Sequence, residues 1–217
     1  MKHILILFLS LFVVSIATAQ TDSLQTAVVP QDSTTLNQNL PKIYNIGDYY
    51  NDGIKEGVVF QVSEDGLHGK IINLKQSHSE VDWTSDETEQ RRFVGATNPN
   101  DGRENMRIIQ SIDGWREKYP AFAWCAELGE DWYLPAIEEL KVLTLNDTIH
   151  DAVNKTLAEH NGIKLFSKKD MGWYWSSTEA EVCEDGIFCA QMVRMYLYGV
   201  FNDSKKNINF VCAIAIF

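Results

Sequence analysis

The stretch that most limits what this chain can fold into is EDWYLPAIEEL, Glu130 to Leu140. Two large aromatics, Trp132 and Tyr133, run into Leu134-Pro135 as a short extended segment. A helix follows, with Ile137, Leu140 and Leu143 on its inner face. Glu138 and Glu139 fall in its first turn, where the helix dipole favours negative charge. Adjacent helical residues point about 100° apart, so the acidic pair suits helix-start electrostatics better than cooperating acid-base chemistry. The junction fixes how a core helix begins against a sheet, and it reports shape rather than catalysis.

The rest of the chain supplies the partners for that helix. In EGVVFQVSEDGLHGKIINL, two apolar runs flank Asp65-Gly66, which predicts a hairpin with strands Val58 to Val62 and Lys70 to Leu74. KQSHSEVDWTSDETEQRRF reads as a long acidic surface loop. Asp101, with Glu104 three residues on, predicts a capped helix that buries Met106, Ile109 and Ile112. A second helix starts near Pro120, places Phe122 and Cys125 on one face, and ends at Gly129. After a polar helical stretch from Asp151 to His160, GWYWSSTE, FCAQMVRMYLYGVF and NINFVCAIAIF read as three strands. NDSKKN is a turn between the last two. In the final strand Ile208, Phe210, Cys212, Ile214 and Ile216 share one face by period two.

The N-terminus bounds the compartment. Lys2 precedes an apolar run from Ile4 to Ile16, and Ala17-Thr18-Ala19 forms a small-x-small cleavage site. Residues 1–19 therefore read as a secretory signal peptide, and the run is too short to span a bilayer. Residues 20–41, rich in Ser, Thr, Gln and Asn, read as a flexible linker, and 42–217 as a single domain. The expected location is extracytoplasmic: periplasm, outer surface or medium. Four cysteines, Cys125, Cys183, Cys189 and Cys212, allow three connectivities, and disulfides are the default for a secreted chain. Signal removal takes away Lys2 and no acid, so the net charge moves from -11 to -12. Such a surface disfavours nucleic acid and anionic membranes as partners, and no second apolar stretch crosses a membrane.

Taken in order, the Trp-Cys helix, the Gly-x-x-Trp-x-Leu-Pro-x-x-x-Glu-Leu stretch, Tyr-Trp-Ser-Ser-Thr and a closing strand with Cys resemble a known family. The likeness is to bacterial C-type-lectin-like domains, in particular the C-terminal domains of Lcl-type collagen-like adhesins, and covers about Tyr44 to Phe217. The resemblance implies an α+β fold, two main helices on a twisted antiparallel sheet, with an N-terminal β-hairpin and the chain ends close. It implies a disulfide from Cys125 to Cys212, leaving Cys183 and Cys189 to close a small loop. These would contribute about 4–5 and about 2 kcal/mol in the chain-entropy model. Relatives commonly cap the helix after Leu-Pro with Ser or Thr, whereas this chain has Ala136, a loss of about 1 kcal/mol. The calcium-binding Glu-Pro-Asn or Gln-Pro-Asp and Trp-Asn-Asp motifs of animal C-type lectins have no counterpart at matching places. Calcium and other cofactors are thus unsupported by motif. The acidic residues Glu80, Asp82, Asp86 and Glu87 lack EF-hand spacing.

The expected function is a secreted or surface-exposed, non-catalytic binding or adhesion module for a glycan or cell-surface polymer. Ligand-binding candidates are Trp173, Trp175, Ser176, Thr178, Glu179, Arg194, Tyr196, Tyr198, Asn202 and Asp203. Trp173 and Trp175 suit core packing as well as an aromatic platform for sugar rings, and Tyr196 and Tyr198 suit both equally. Arg194, alone among apolar residues, reads first as the buried partner of an acid such as Glu179 and second as a ligand contact. A structural component of a surface assembly is an alternative, and an enzyme a weaker one. Formylglycine-generating enzymes are similar in fold and use a reactive Cys pair, but no such motif is recognisable here. His68 and His78 suit solvated positions, and Gly-x-Ser-x-Gly is absent.

Overall fold

Asp65-Gly66 turns the chain where its flanking runs require, with Gly66 at φ 72°. The computed structural model describes residues 41–184 and 186–217; the expected signal peptide and all of the expected linker before Pro41 lie outside the described residues. Strands β1 (Tyr49–Asn51), β2 (Glu56–Val62), β3 (Gly69–Gln76) and a closing strand, Cys212–Ile216, form an antiparallel sheet in that order. Val58 pairs with Ile72, and Ile72 with Ile214. All three are fully buried.

The supposed surface loop after β3 is structured around an anchor. β4 (Val81–Asp82) leads to Trp83, which is fully buried and meets Tyr119 and Phe122 edge-on at 5.7 and 5.0 Å. Its indole Nε1 donates to the Ser176 carbonyl at 3.0 Å. Asp86 caps the short helix α1 (Glu87–Gln90) by accepting from Thr88 and Glu89 amides. A polar composition around one large aromatic hid a core residue.

Helix α2 (Gly102–Gln110) begins at Asp101, whose side chain accepts from Arg103 and Glu104 amides. Glu104 accepts from Asn98 rather than closing a capping box. Met106 and Ile109 are buried and Ile112 is half-buried. A short α3 (Trp115–Lys118) precedes α4 (Pro120–Glu127), which buries Phe122 and Cys125. After the Trp132–Leu134 segment, α5 (Ile137–Thr144) buries Ile137, Leu140 and Leu143 as its spacing requires. α6 (Asp147–Glu159) starts four residues earlier than the predicted helix, capped by Asn146. α2 packs on the next strand, α5 on the sheet that follows, and α6 on β2.

That next strand is β5 (Trp173–Glu184), and it opens a three-stranded antiparallel sheet with β6 (Ile187–Arg194) and β7 (Gly199–Ser204). The run FCAQMVRMYLYGVF is therefore a hairpin and not one strand. Met195 to Tyr198 form its turn, with Tyr198 at φ 50°. The final run also divides. β8 (Ile208–Asn209) pairs with β4, and β9 (Cys212–Ile216) with β3. Ile208 is 48% exposed, while Cys212, Ala213, Ile214 and Ala215 are all buried. The single-face reading fails because the chain changes sheet at Phe210 and because β9 is covered on both sides. The architecture is α+β with antiparallel sheets, and Pro41–Phe217 forms one unit.

The cysteines are corrected in part. Cys183 and Cys189 are bonded, with Cα atoms 5.4 Å apart. Cys125 and Cys212 are free thiols, both buried. The Cys125 Sγ donates to the Cys212 carbonyl oxygen at 3.9 Å. Helix and closing strand are held by packing, without the covalent tie that the resemblance implies.

Burial also sets the alkaline limit of stability. It pushes the phenols of Tyr119, Tyr133 and Tyr174 well above 10.0 and that of Tyr50 up to about 12. It raises the Cys125 thiol, and lifts Cys212 from 9.0 to about 12. The folded chain keeps protons that the unfolded chain releases, so this stability is complete below pH 9 and is lost as pH rises beyond it. Lys205, which burial lowers from 10.5, works in the opposite sense and is outnumbered by these groups. The urea midpoint is expected to hold between pH 7 and about 8.5 and to fall steadily above it.

Candidate functional site

Two residues start the site from the inside. Glu179 on β5 and Lys205, just past β7, form an ion pair with both side chains fully buried. The Glu179 carboxylate also accepts from the Val94 and Gly95 amides, the latter at 2.7 Å. Lys205 Nζ donates to the Arg92 carbonyl at 3.1 Å and lies 4.5 Å over the Trp83 ring. The acid predicted to pair with Arg194 is thus taken by a lysine from a stretch that composition marked as a turn. The pair is closed to solvent, so its role is to tie the 92–96 segment and β5 to the end of β7.

Half of the predicted ligand residues turn inward in the same way. Trp175 is fully buried, and its indole donates to the Val81 carbonyl at 2.9 Å. Ser176 Oγ donates to the Gln191 carbonyl at 2.7 Å. Thr178 Oγ1 accepts from the Ile137 amide at 3.0 Å, and the Pro99 carbonyl accepts from Glu138 at 2.9 Å. The cap that Ala136 cannot supply therefore comes in part from β5. Asp203 accepts from Asn207 at 2.7 Å and Asn209 at 3.1 Å, which shapes the turn after β7.

Trp173, Arg194, Tyr196, Tyr198 and Asn202 keep access to solvent. Arg194 pairs across the ladder with Trp173 on β5 and Gly199 on β7. Its guanidinium lies 5.0 Å from the Trp173 ring and 4.9 Å from the Phe201 ring. Phe201 was not singled out by sequence, although it stands two residues from Gly199 and so on the same face. Asn202 pairs with Gln191 and projects from the opposite face, apart from Arg194.

The β6–β7 turn carries Tyr196 and Leu197 outward, 39% and 48% exposed. Tyr198 folds back. Its hydroxyl bonds the Asp147 carboxylate at 2.9 Å, and Lys168 Nζ lies 3.7 Å over its ring. Lys168 also bonds Asp147 at 2.7 Å, which holds that carboxyl below its usual range. Left-handed backbone is costly for a bulky residue, and these contacts hold Tyr198 there. Beside it, Asp147, His150, Ser167, Lys168 and Met195 line a cavity of about 260 Å³. A larger groove of about 630 Å³ lies elsewhere, between Ile54, Glu56, His78, Glu127, Trp132 and Ile163.

Among the described residues, no group of three or more His, Cys, Asp and Glu is placed to hold a metal ion. Among them also, no helix is long and apolar enough to cross a membrane. No protein-family model matches the chain, and no curated protein is significantly similar to it.

Proposed function

We propose that this chain is a non-catalytic binding module of C-type-lectin-like architecture, exported and tethered outside the cytoplasm, whose ligand is a glycan or cell-surface polymer. The ligand face is Arg194 with its two rings, together with the β6–β7 turn that follows. The observation that carries this reading is Arg194 itself: a half-buried cation fixed between Trp173 and Phe201, with no acid beside it among the described residues. The polar candidates further along β5, Ser176, Thr178 and Glu179, are consumed by structural bonds. A glycan array probed with and without calcium tests the reading. Calcium-independent binding is expected, reduced about ten-fold in Tyr196→Ala, since one stacking aromatic contributes on that scale. Silence across the array would overturn it.

A second reading, a subunit of a surface assembly, has its own support. Phe93 and Val182, 52% and 51% exposed, form with Phe188 an apolar patch next to the Cys183–Cys189 bond. Contiguous exposed apolar surface of this sort marks interaction sites.

A further inference from the structure

Acids outnumber Lys and Arg in this chain by 30 to 19. Glu89, Glu138, Glu139, Asp147 and Glu179 each have a cation within 4.0 Å. Among the described residues no acid forms an ion pair with Arg194, which is half-buried on a sheet. No hydrogen bond among the described residues involves its side chain, and its Nε is buried without an acceptor. The indole Nε1 of Trp173, in the ring stacked on it, is likewise buried without an acceptor. Stacking alone therefore sets the rotamer. A guanidinium held by ring faces has already lost most of its conformational freedom, and its outward N–H groups remain unspent. Gly199, opposite Arg194 on β7, adds no side chain over it.

We propose that Arg194 is the anchor for a carboxylate on the ligand, so that the module takes a sugar bearing an isolated acid group, of the hexuronic class. This rests on the binding reading of the same face. The planar fork of an arginine matches the two oxygens of a carboxylate, and a lysine in its place presents only a point charge. One fixed cation matches one acid group. The net charge of -11 repels dense polyanions, so spaced carboxylates on an otherwise neutral polymer fit better than a sulfated or phosphorylated chain.

Side-chain N–H resonances of Arg194 and Trp173, followed by NMR in the intact mature chain, test the anchor with glucuronate, glucose and acetate as probes. Glucuronate is expected to move both signals saturably, acetate to move the same signals more weakly, and glucose to leave them in place. Arg194→Lys is expected to weaken the glucuronate response of the Trp173 indole about ten-fold, with the circular dichroism spectrum retained. Two results overturn the anchor: no movement with either carboxylate, or equal glucuronate affinity in Arg194→Gln and the parent. If glucose binds as tightly as glucuronate, the binding face stands and the carboxylate anchor falls. If acetate binds while both sugars do no better, the anchor stands and the glycan reading falls. Because the titrations use the parent protein, their outcome does not depend on a variant folding.

Discussion

Replacing Lys205 with methionine is expected to lower stability by about 3–5 kcal/mol, the usual cost of stripping one partner from a buried ion pair. Methionine keeps the length of the stem beside Trp83 and Phe188, so packing changes little. The loss falls on Glu179, whose side chain is fully buried and would carry an unpaired charge. In a unit of this size the melting temperature should drop by roughly 10 °C. Adding Glu179→Gln should return part of the loss, because a neutral amide still accepts from the Val94 and Gly95 amides. A cost under about 1 kcal/mol in the single variant would mean that the pair is not closed to water.

Glu139→Ala is expected to cost about 3–4 kcal/mol, with Glu138→Ala within about 0.5 kcal/mol of the parent. Glu139 accepts from four donors: the Gly102 amide at 3.1 Å, the Ala136 amide at 2.8 Å, the Tyr133 hydroxyl at 3.1 Å and Lys70 Nζ at 2.8 Å. One carboxylate thereby joins the start of α2, the start of α5, the Trp132–Leu134 segment and β3. Alanine leaves buried amides at Gly102 and Ala136 without an acceptor, at about 1–3 kcal/mol each. Lys70, on the sheet surface, can turn to water. The site is tight on its other side as well. A Cβ at residue 102 would lie 2.4 Å from the Leu134 carbonyl oxygen and 2.8 Å from the Ala136 nitrogen, so Gly102→Ala should fail in the same place. Urea denaturation of the glutamate variants measures the contrast. Equal effects at the two positions would leave only the helix dipole as the reason for the acidic pair.

That contrast shows where sequence reading stopped. The extended segment, the helix after it and the inward stripe of Ile137, Leu140 and Leu143 were legible because each follows from local spacing. So was the hairpin around Gly66. Glu139 looked like Glu138 because two of the four groups that converge on it, the Gly102 amide and Lys70, come from distant parts of the chain. Lys205 was read as part of a turn for the same reason: nothing local distinguishes a lysine that will meet Glu179 and Trp83 from one that will meet water. Tyr198 concealed a turn, since no glycine or asparagine marks its left-handed backbone and the contacts that hold it come from α6 and Lys168. Of the candidate site, Arg194 was found by its isolation among apolar neighbours. Its intended partner was wrong, and Phe201 went unnoticed, because strand pairing across the β6–β7 turn decides both.

The two ends of the folded unit meet at one corner. Phe217 exchanges backbone hydrogen bonds with Gly69, at 3.1 and 3.2 Å, and its ring lies 5.1 Å from that of Tyr44, whose amide bonds Gly66 at 2.9 Å. A handle attached at residue 44 or at residue 217 therefore leaves the molecule from the same place. The domain can be immobilised or displayed by either terminus with its remaining loops oriented alike. A circularly permuted chain that joins these ends through a short spacer and opens in the exposed Lys168–Lys169 loop should keep every strand pairing described above.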